Sequence, residues 1–443
     1  MELGKKSPFI RGVDWQHDQT DVFIGIDFGT SYSKVSYTVR GSKKGKSIFF
    51  NNKDEYYLPS VIYWDGQSKK LLFNSSGEDI PYRKLKFFKY TMIDSTLKHH
   101  NQFVENKTET DKERLYSAFY LGCLINIVRN IIRQEIHNKQ INWYFNMGTP
   151  LRDPNLEAEK NNIYKEILNV GYEFSKEMNE CKEIILDDFD NFYKGKKEII
   201  NNNLHTYPEL FAEINLYHKD PNTPEGFYSI IDVGGGTVDM ALFFKRYVNG
   251  RNEANCVSKD VVPYGFELLI EKVLNNKFDK DDFNNYPIQG LKGKTIIKFS
   301  DDISVDVSRF YDEFKAKYGQ YFNFAEKYFD EEFKKNSFVK YFIFGGGKEI
   351  KLYHLAMEEI NKAKIKERIF IKKSDYQIEN DRLVISQMLA QPFADLIPID
   401  NIMSDAAAKM IEKEKKNEPI EQEQKDSQEK MDEILRERYG GPL

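Results

Sequence analysis

The chain has 443 residues, enough for two lobes with a cleft between them and a tail, and too many for one ordinary core. Hydrophobic residues at 40% and aromatics at 14% exclude a disordered chain, and 65 basic against 70 acidic residues leave no global field that argues for nucleic acid or a membrane surface. Cys123, Cys181 and Cys256 stand far apart in no metal spacing, and neither a signal-like start nor a long apolar window is present, so the expectation is a reducing, cytoplasmic location without a membrane partner.

In chain order, the first predicted element is a hairpin over 22–39, VFIGIDFGTSYSKVSYTV, with apolar runs on either side of Asp27, Gly29, Thr30 and Ser31. Leu58 to Trp64 reads as a further strand, Leu115 to Ile136 as a helix carrying Leu124, Val128 and Ile131 on one face, and Ile141 to Met147 as a strand closed by Gly148. The lysine- and acid-rich stretch from about 173 to 205 reads as a helical insertion on the surface. The opening pattern returns over 227–245, FYSIIDVGGGTVDMALFF, around Asp232, Gly234, Gly235, Gly236 and Thr237. Gly265 then opens a helix with Phe266, Leu269, Ile270 and Val273 on one face, and a third glycine cluster, Gly345 to Gly347, follows the strand 339–344. Residues 409–443, dominated by Lys, Glu and Gln, read as a solvated helix or disordered tail whose end, Tyr439 to Leu443, could dock on a partner.

The chemistry follows from the repeated turn. A phosphate chain needs backbone N–H donors at close approach, which favours glycines followed by a hydroxyl residue, because a side chain there would block the ligand. Each hairpin adds an aspartate at the end of its entering strand, Asp27 and Asp232, so two carboxylates can hold the waters of one magnesium ion. One Asp-x-Gly-Thr turn is common, whereas two copies with a third glycine cluster after a strand are far more specific. Two other features carry no chemistry: the His99-His100 pair lacks a ligand set, and Cys256 has no histidine partner pattern.

These residues strongly resemble the actin-like ATPase superfamily, and within it the nucleotide-binding part of DnaK-type heat-shock chaperones. Ile24-Gly-Ile-Asp-Phe-Gly-Thr-Ser-Tyr-Ser33 resembles the first phosphate motif, Ile231-Asp-Val-Gly-Gly-Gly-Thr-Val-Asp239 the second, and Phe342-Ile-Phe-Gly-Gly-Gly347 the adenosine motif. Leu58 to Ile62 and Tyr264-Gly-Phe-Glu267 add support, so the resemblance covers roughly 20 to 395. It implies an α/β, two-lobed actin/DnaK-type ATPase fold, each lobe a ribonuclease-H-like mixed sheet with flanking helices and the nucleotide in the central cleft. The expected division is an N-terminal extension at 1–20, a first lobe at 21–206, a second at 207–402 and a tail at 403–443.

The resemblance further implies magnesium-dependent hydrolysis of ATP by a positioned water. Asp27 and Asp232 would serve the hydrated metal; Gly29, Thr30, Ser31, Tyr32 and Gly234 to Thr237 the phosphates; and Gly265, Glu267, Gly345, Gly346, Gly347, Lys348 and Ser386 the remainder of the nucleotide. Glu209 is the candidate base with Glu213 as fallback, against the plainer reading that Glu209 only starts a helix. The chaperones also place a lysine near the transferred phosphate. Here Arg83-Lys-Leu-Lys-Phe-Phe-Lys89 leaves Lys86 and Lys89 open, beside the alternative of a basic surface strand. The peptide-binding domain of the chaperones has no counterpart in this sequence, which leaves three expectations: a nucleotide switch for a partner protein, a self-associating actin-like filament former, or a small-molecule kinase.

Overall fold

In the computed structural model the described residues are 19–42, 45–50, 55–74, 80–92, 101–102, 104, 108–136, 140–150, 157–177, 182–219, 223–248, 251–274, 288–291, 294–298, 304–328, 339–348, 350–361 and 381–396. His99, His100, Cys181 and the expected tail lie outside them. The protein is mixed α/β, with several sheets and helices packed on them.

The first hairpin is β1 (Gln19–Phe28) and β2 (Tyr32–Val39), extended by β3 (Lys46–Ser47) and β4 (Leu58–Pro59). The expected strand at 58–64 is broken in two after Pro59, and its second half, β5 (Ile62–Asp65), joins β6 (Lys70–Leu72) and β7 (Arg83–Leu85) in a separate small sheet. A short helix, α1 (Phe88–Thr91), leads to α2 (Lys112–Glu135), whose first turn is capped by the Asp111 carboxylate accepting from the Glu113 N–H. β8 (Gln140–Thr149) then lies parallel to β1, followed by α3 (Ala158–Glu177), β9 (Glu183–Ile185), α4 (Leu186–Lys196) and β10 (Leu204–Pro208), which lies parallel to β8.

β1 reads as an almost unbroken apolar run because it is central, with neighbours on both edges and helices on both faces. Val22, Ile24, Ile26 and Phe28 share one face and join α2 in the largest buried cluster. By length and composition α2 could cross a membrane, but 72% of its most apolar window is buried inside the protein, as befits a core helix. The expected surface insertion at 173–205 is likewise part of this core. Leu186, Phe189 and Tyr193 recur at helical spacing and are fully buried, Phe174 and Phe189 meet ring to ring, and β9 pairs with β6.

The second hairpin repeats the plan. After α5 (Glu209–Lys219), β11 (Gly226–Val233) pairs antiparallel with β12 (Val238–Val248), and β12 with β13 (Arg251–Val262). Helix α6 (Phe266–Leu274), a three-stranded sheet of β14 (Ile288–Leu291), β15 (Lys294–Lys298) and β16 (Ser304–Asp306), and α7 (Ser308–Tyr328) intervene before β17 (Val339–Phe344) returns parallel to β11. Two helices close the described chain, α8 (Lys351–Asn361) and α9 (Val384–Leu389). α9 shares a buried cluster with α5 and with Tyr228, Ile230, Phe342 and Phe344 of the second sheet, and it reaches the first sheet as well. It packs on β1, where a Cβ on Gly25 would stand 2.1 Å from the Ser386 carbonyl oxygen, and Asn146 of β8 donates to the carbonyls of Leu389 and Gln391 at 2.7 and 2.8 Å.

Candidate functional site

Both hairpins end on a glycine turn, and the register of each sets what faces its aspartate. Asp27 of β1 stands directly across from Lys34 of β2, and Lys34 Nζ lies 2.5 Å from Asp27 Oδ2. Asp232 of β11 stands across from a second carboxylate, Asp239 of β12. The same seven-residue step thus makes an ion pair in one hairpin and a like-charge pair in the other, and like charges opposite each other are unfavourable unless something else compensates.

Helix α5 begins at Glu209, as the plainer reading of that residue expects. Glu209 is buried and its Oε1 accepts from Lys89 Nζ at 2.7 Å. Lys89 is the member of the 83–89 basic stretch that turns inward. It is buried on α1, 5.7 Å from the centre of the Phe28 ring, rather than on a surface strand. Its direction depends on Phe87, which caps α1 at φ 57, a left-handed conformation that an aromatic residue seldom takes and that clusters at functional sites. Lys86, the alternative, keeps its backbone on Asn101 and lines a pocket beside the first turn. Gly148 lets Glu209 approach β8, since a Cβ there would sit 2.8 Å from Glu209 Cγ.

Glu213, one turn further along α5, completes a group of five carboxylates (Asp27, Glu209, Glu213, Asp232, Asp239) against two ammonium groups, Lys34 and Lys89. Among the described residues, Asp232 Oδ1, Asp239 Oδ1 and both oxygens of Glu213 are buried without a hydrogen-bond partner. Burial pushes Asp232 up to about 7, against Lys34 and with Asp27 and Glu209. Burial first, then the neighbouring carboxylates, hold Glu213 and Asp239 well above the ordinary range. Burial also raises Glu209, opposed chiefly by Lys89. For Lys34, burial pulls down, but Asp27 at contact and Asp232 and Glu209 beyond it outweigh that pull and raise its pKa. The group therefore has acceptor oxygens to spare and too little positive charge, which fits a bound cation. Among the described residues no three potential ligands converge closely enough to hold an ion directly.

The glycine turns close around this group. Gly234 N–H donates to the Thr237 carbonyl at 2.9 Å, and α6 docks on the turn through Gly265, Phe266 and Glu267, whose N–H groups donate to the carbonyls of Gly236, Gly234 and Gly235. A Cβ on Gly265 would meet the Gly235 carbonyl oxygen at 2.3 Å. The two turns touch each other, because Ser31 Oγ donates to Glu267 Oε1 at 3.0 Å and would lie 2.3 Å from a Cβ on Gly235. Gly345 at φ 83 packs against Asp232 Oδ1, with Gly346 next to it in the turn, Gly347 resting on Val233, and the Lys348 N–H closing that turn onto the Gly345 carbonyl.

Most of the residues expected in a nucleotide site are thus brought together. Thr30 and Ser31 line the pocket beside the first turn, and Gly29 is pressed by the Tyr32 carbonyl. Two residues are placed differently. The Tyr32 ring is half-exposed and meets Tyr57 edge-on rather than joining the buried carboxylates. Ser386 is wholly buried in the α9 packing, its hydroxyl 2.9 Å from that of Ser36 and donating to the Leu383 carbonyl, so its role is to seat α9 on β2. Lys34 was not singled out from the sequence, although the signal was there: it follows Asp27 by the same interval at which Asp239 follows Asp232. No protein-family model matches the chain, and no curated protein matches it.

Proposed function

We propose that the protein binds magnesium ATP between its two glycine-turn hairpins and hydrolyses it slowly, acting as a nucleotide-dependent switch on a partner protein, with its two hairpin sheets as the two lobes of an actin/DnaK-type ATPase. The observation that carries this reading is the buried Lys89–Glu209 pair standing among Asp27, Asp232 and both glycine turns. A structural ion pair would not need surplus buried carboxylates beside it, and a bare phosphate-binding turn would not need a buried, cation-held glutamate.

In this reading the N–H groups of the two turns hold the phosphate chain, and Asp27 and Asp232 hold a hydrated magnesium ion through its waters. The ion supplies charge that offsets the phosphates. Glu209, raised by burial, accepts a hydrogen bond from the attacking water and takes its proton, while Lys89 keeps the carboxylate oriented and remains within reach of the transferred phosphate. Lys34 holds the Asp27 carboxylate in place. Cytoplasmic location belongs to the same proposal.

The test is magnesium-dependent ATP binding and hydrolysis by the purified protein beside Asp27→Ala, Asp232→Ala and Glu209→Gln, with sedimentation of the same samples to detect filaments. Glu209→Gln is expected to keep ATP binding and lose roughly 10²–10⁴-fold in turnover, the range for removing a general base. Wild type that neither binds nor cleaves ATP would sink the proposal.

A further inference from the structure

Three buried side chains around Glu209 keep polar atoms that the proposed reaction does not use. Thr149 ends β8 directly across from Pro208, the residue before Glu209, and follows Gly148, against which Glu209 Cγ packs. Tyr164 belongs to α3, which is held on β10 by Thr206 donating to Asn161 at 2.8 Å. It follows Asn161 by three residues and so shares that face of the helix, and a long helical side chain leans toward its own N-terminus, which brings the ring back toward the end of β10. Asp239 comes from β12. Its carboxylate feels the charge of Glu209, and the Tyr164 hydroxyl feels Glu209 first and then Asp239. Thr149 Oγ1, Tyr164 Oη and Asp239 Oδ1 are all buried without a hydrogen-bond partner among the described residues.

Two of these groups are hydroxyls with a proton to donate and the third is a carboxylate oxygen, so they are complementary and yet not bonded to one another. Left bare, each carries its full desolvation penalty. Water is the smallest molecule that serves donors and acceptors together, and a buried water makes roughly three such bonds. Burial, reinforced by the carboxylates, holds Tyr164 well above its ordinary range, so the hydroxyl stays neutral and keeps its proton. We propose that Thr149, Tyr164 and Asp239 hold an internal water site beside Glu209, and that the water which attacks ATP is drawn from it. The supply role rests on the proposed nucleotide function, whereas the water site does not. In that role a water leaves the site and gives one proton to Glu209. Its oxygen bonds to the terminal phosphorus as the bond from that phosphorus to the ADP oxygen breaks, and Glu209 later returns the proton to solvent. Thr149 and Tyr164 touch the water and not the nucleotide, which makes them positioning residues.

The experiment removes the two hydroxyls with side-chain shape kept, in full-length Tyr164→Phe, Thr149→Val and the double variant. Oxygen-17 magnetic relaxation dispersion of the nucleotide-free samples reports long-lived internal water. The double variant is expected to lose the signal of at least one such water, and each single variant to weaken it, so that a double variant that fails to fold leaves the test intact. Equal dispersion in wild type and every folded variant overturns the site. ATP turnover by the same samples tests the supply role. Tyr164→Phe is expected to lower kcat about tenfold at unchanged KM, the worth of one hydrogen bond to the attacking water, where a hydroxyl with a merely structural role would leave kcat alone. Loss of the water with kcat unchanged overturns the supply role. Wild type that holds the water but cleaves no ATP loses the nucleotide reading and the supply role with it, while the water site stands.

Discussion

Glu213 has neither carboxyl oxygen hydrogen-bonded and is almost wholly buried, so in the absence of a cation it costs the fold its desolvation with nothing returned. Glu213→Leu is therefore expected to raise stability by about 1–3 kcal/mol, read as a higher urea midpoint at unchanged slope; a lower midpoint would mean that the carboxylate has a partner. Asp232 supplies a pH signature. Its carboxyl releases a proton near 3.8 in the unfolded chain and about 7 in the folded one, so across that interval the folded state holds the extra proton and stability falls as pH rises, the loss being complete above about pH 7. Asp232→Asn should flatten that fall and stabilise the protein in mildly alkaline buffer by about 2 kcal/mol, roughly half of what the full shift would carry at ~1.4 kcal/mol per unit, because the side chain retains some exposure. A variant whose stability tracks wild type at every pH would refute it. Asp232 thus costs the fold stability and is also a side chain that the proposed function needs, a common relation between stability and activity.

Elements decide how much of this could be read in advance. The two hairpins were legible because apolar runs, an aspartate and a glycine turn coincide in each, and so were α2 and α6, whose apolar residues keep helical spacing. The burial of α4 was not legible, though its helical character was, because lysines and aspartates dilute the positions that carry Leu186, Phe189 and Tyr193 into the core. The inward turn of Lys89 was hidden for a different reason. It depends on the conformation of Phe87, which no periodicity reports. The union of α2 and α3 is another case in which backbone proximity matters more than pattern. Gly122 and Gly171 let the helices meet, and a Cβ on Gly122 would lie 2.7 Å from the Phe174 ring and 3.1 Å from the Gly171 carbonyl oxygen. Gly122→Leu is expected to cost about 3 kcal/mol, measurable as a fall in the urea midpoint, through forced separation of the two helices. An unchanged midpoint would show that they part without penalty.

At the scale of the whole molecule, the hairpin turns meet through single contacts such as Ser31 to Glu267, so a ligand held by both turns should stabilise the entire fold. If the proposed function holds, magnesium ATP at a hundred times its dissociation constant adds about 2.7 kcal/mol, seen as a higher melting temperature, and Asp27→Ala abolishes the gain. Equal protection of that variant would move the ligand elsewhere.

The seating of α9 on β1 has a bearing on how the chain is made. The ribosome delivers every strand of the first sheet by Pro208, yet the helix that covers Gly25 and takes up the Asn146 amide begins only at Val384. At ordinary synthesis rates that face waits roughly ten to forty seconds for its cover, its Ser36 hydroxyl and Asn146 amide without their α9 partners during the whole construction of the second sheet.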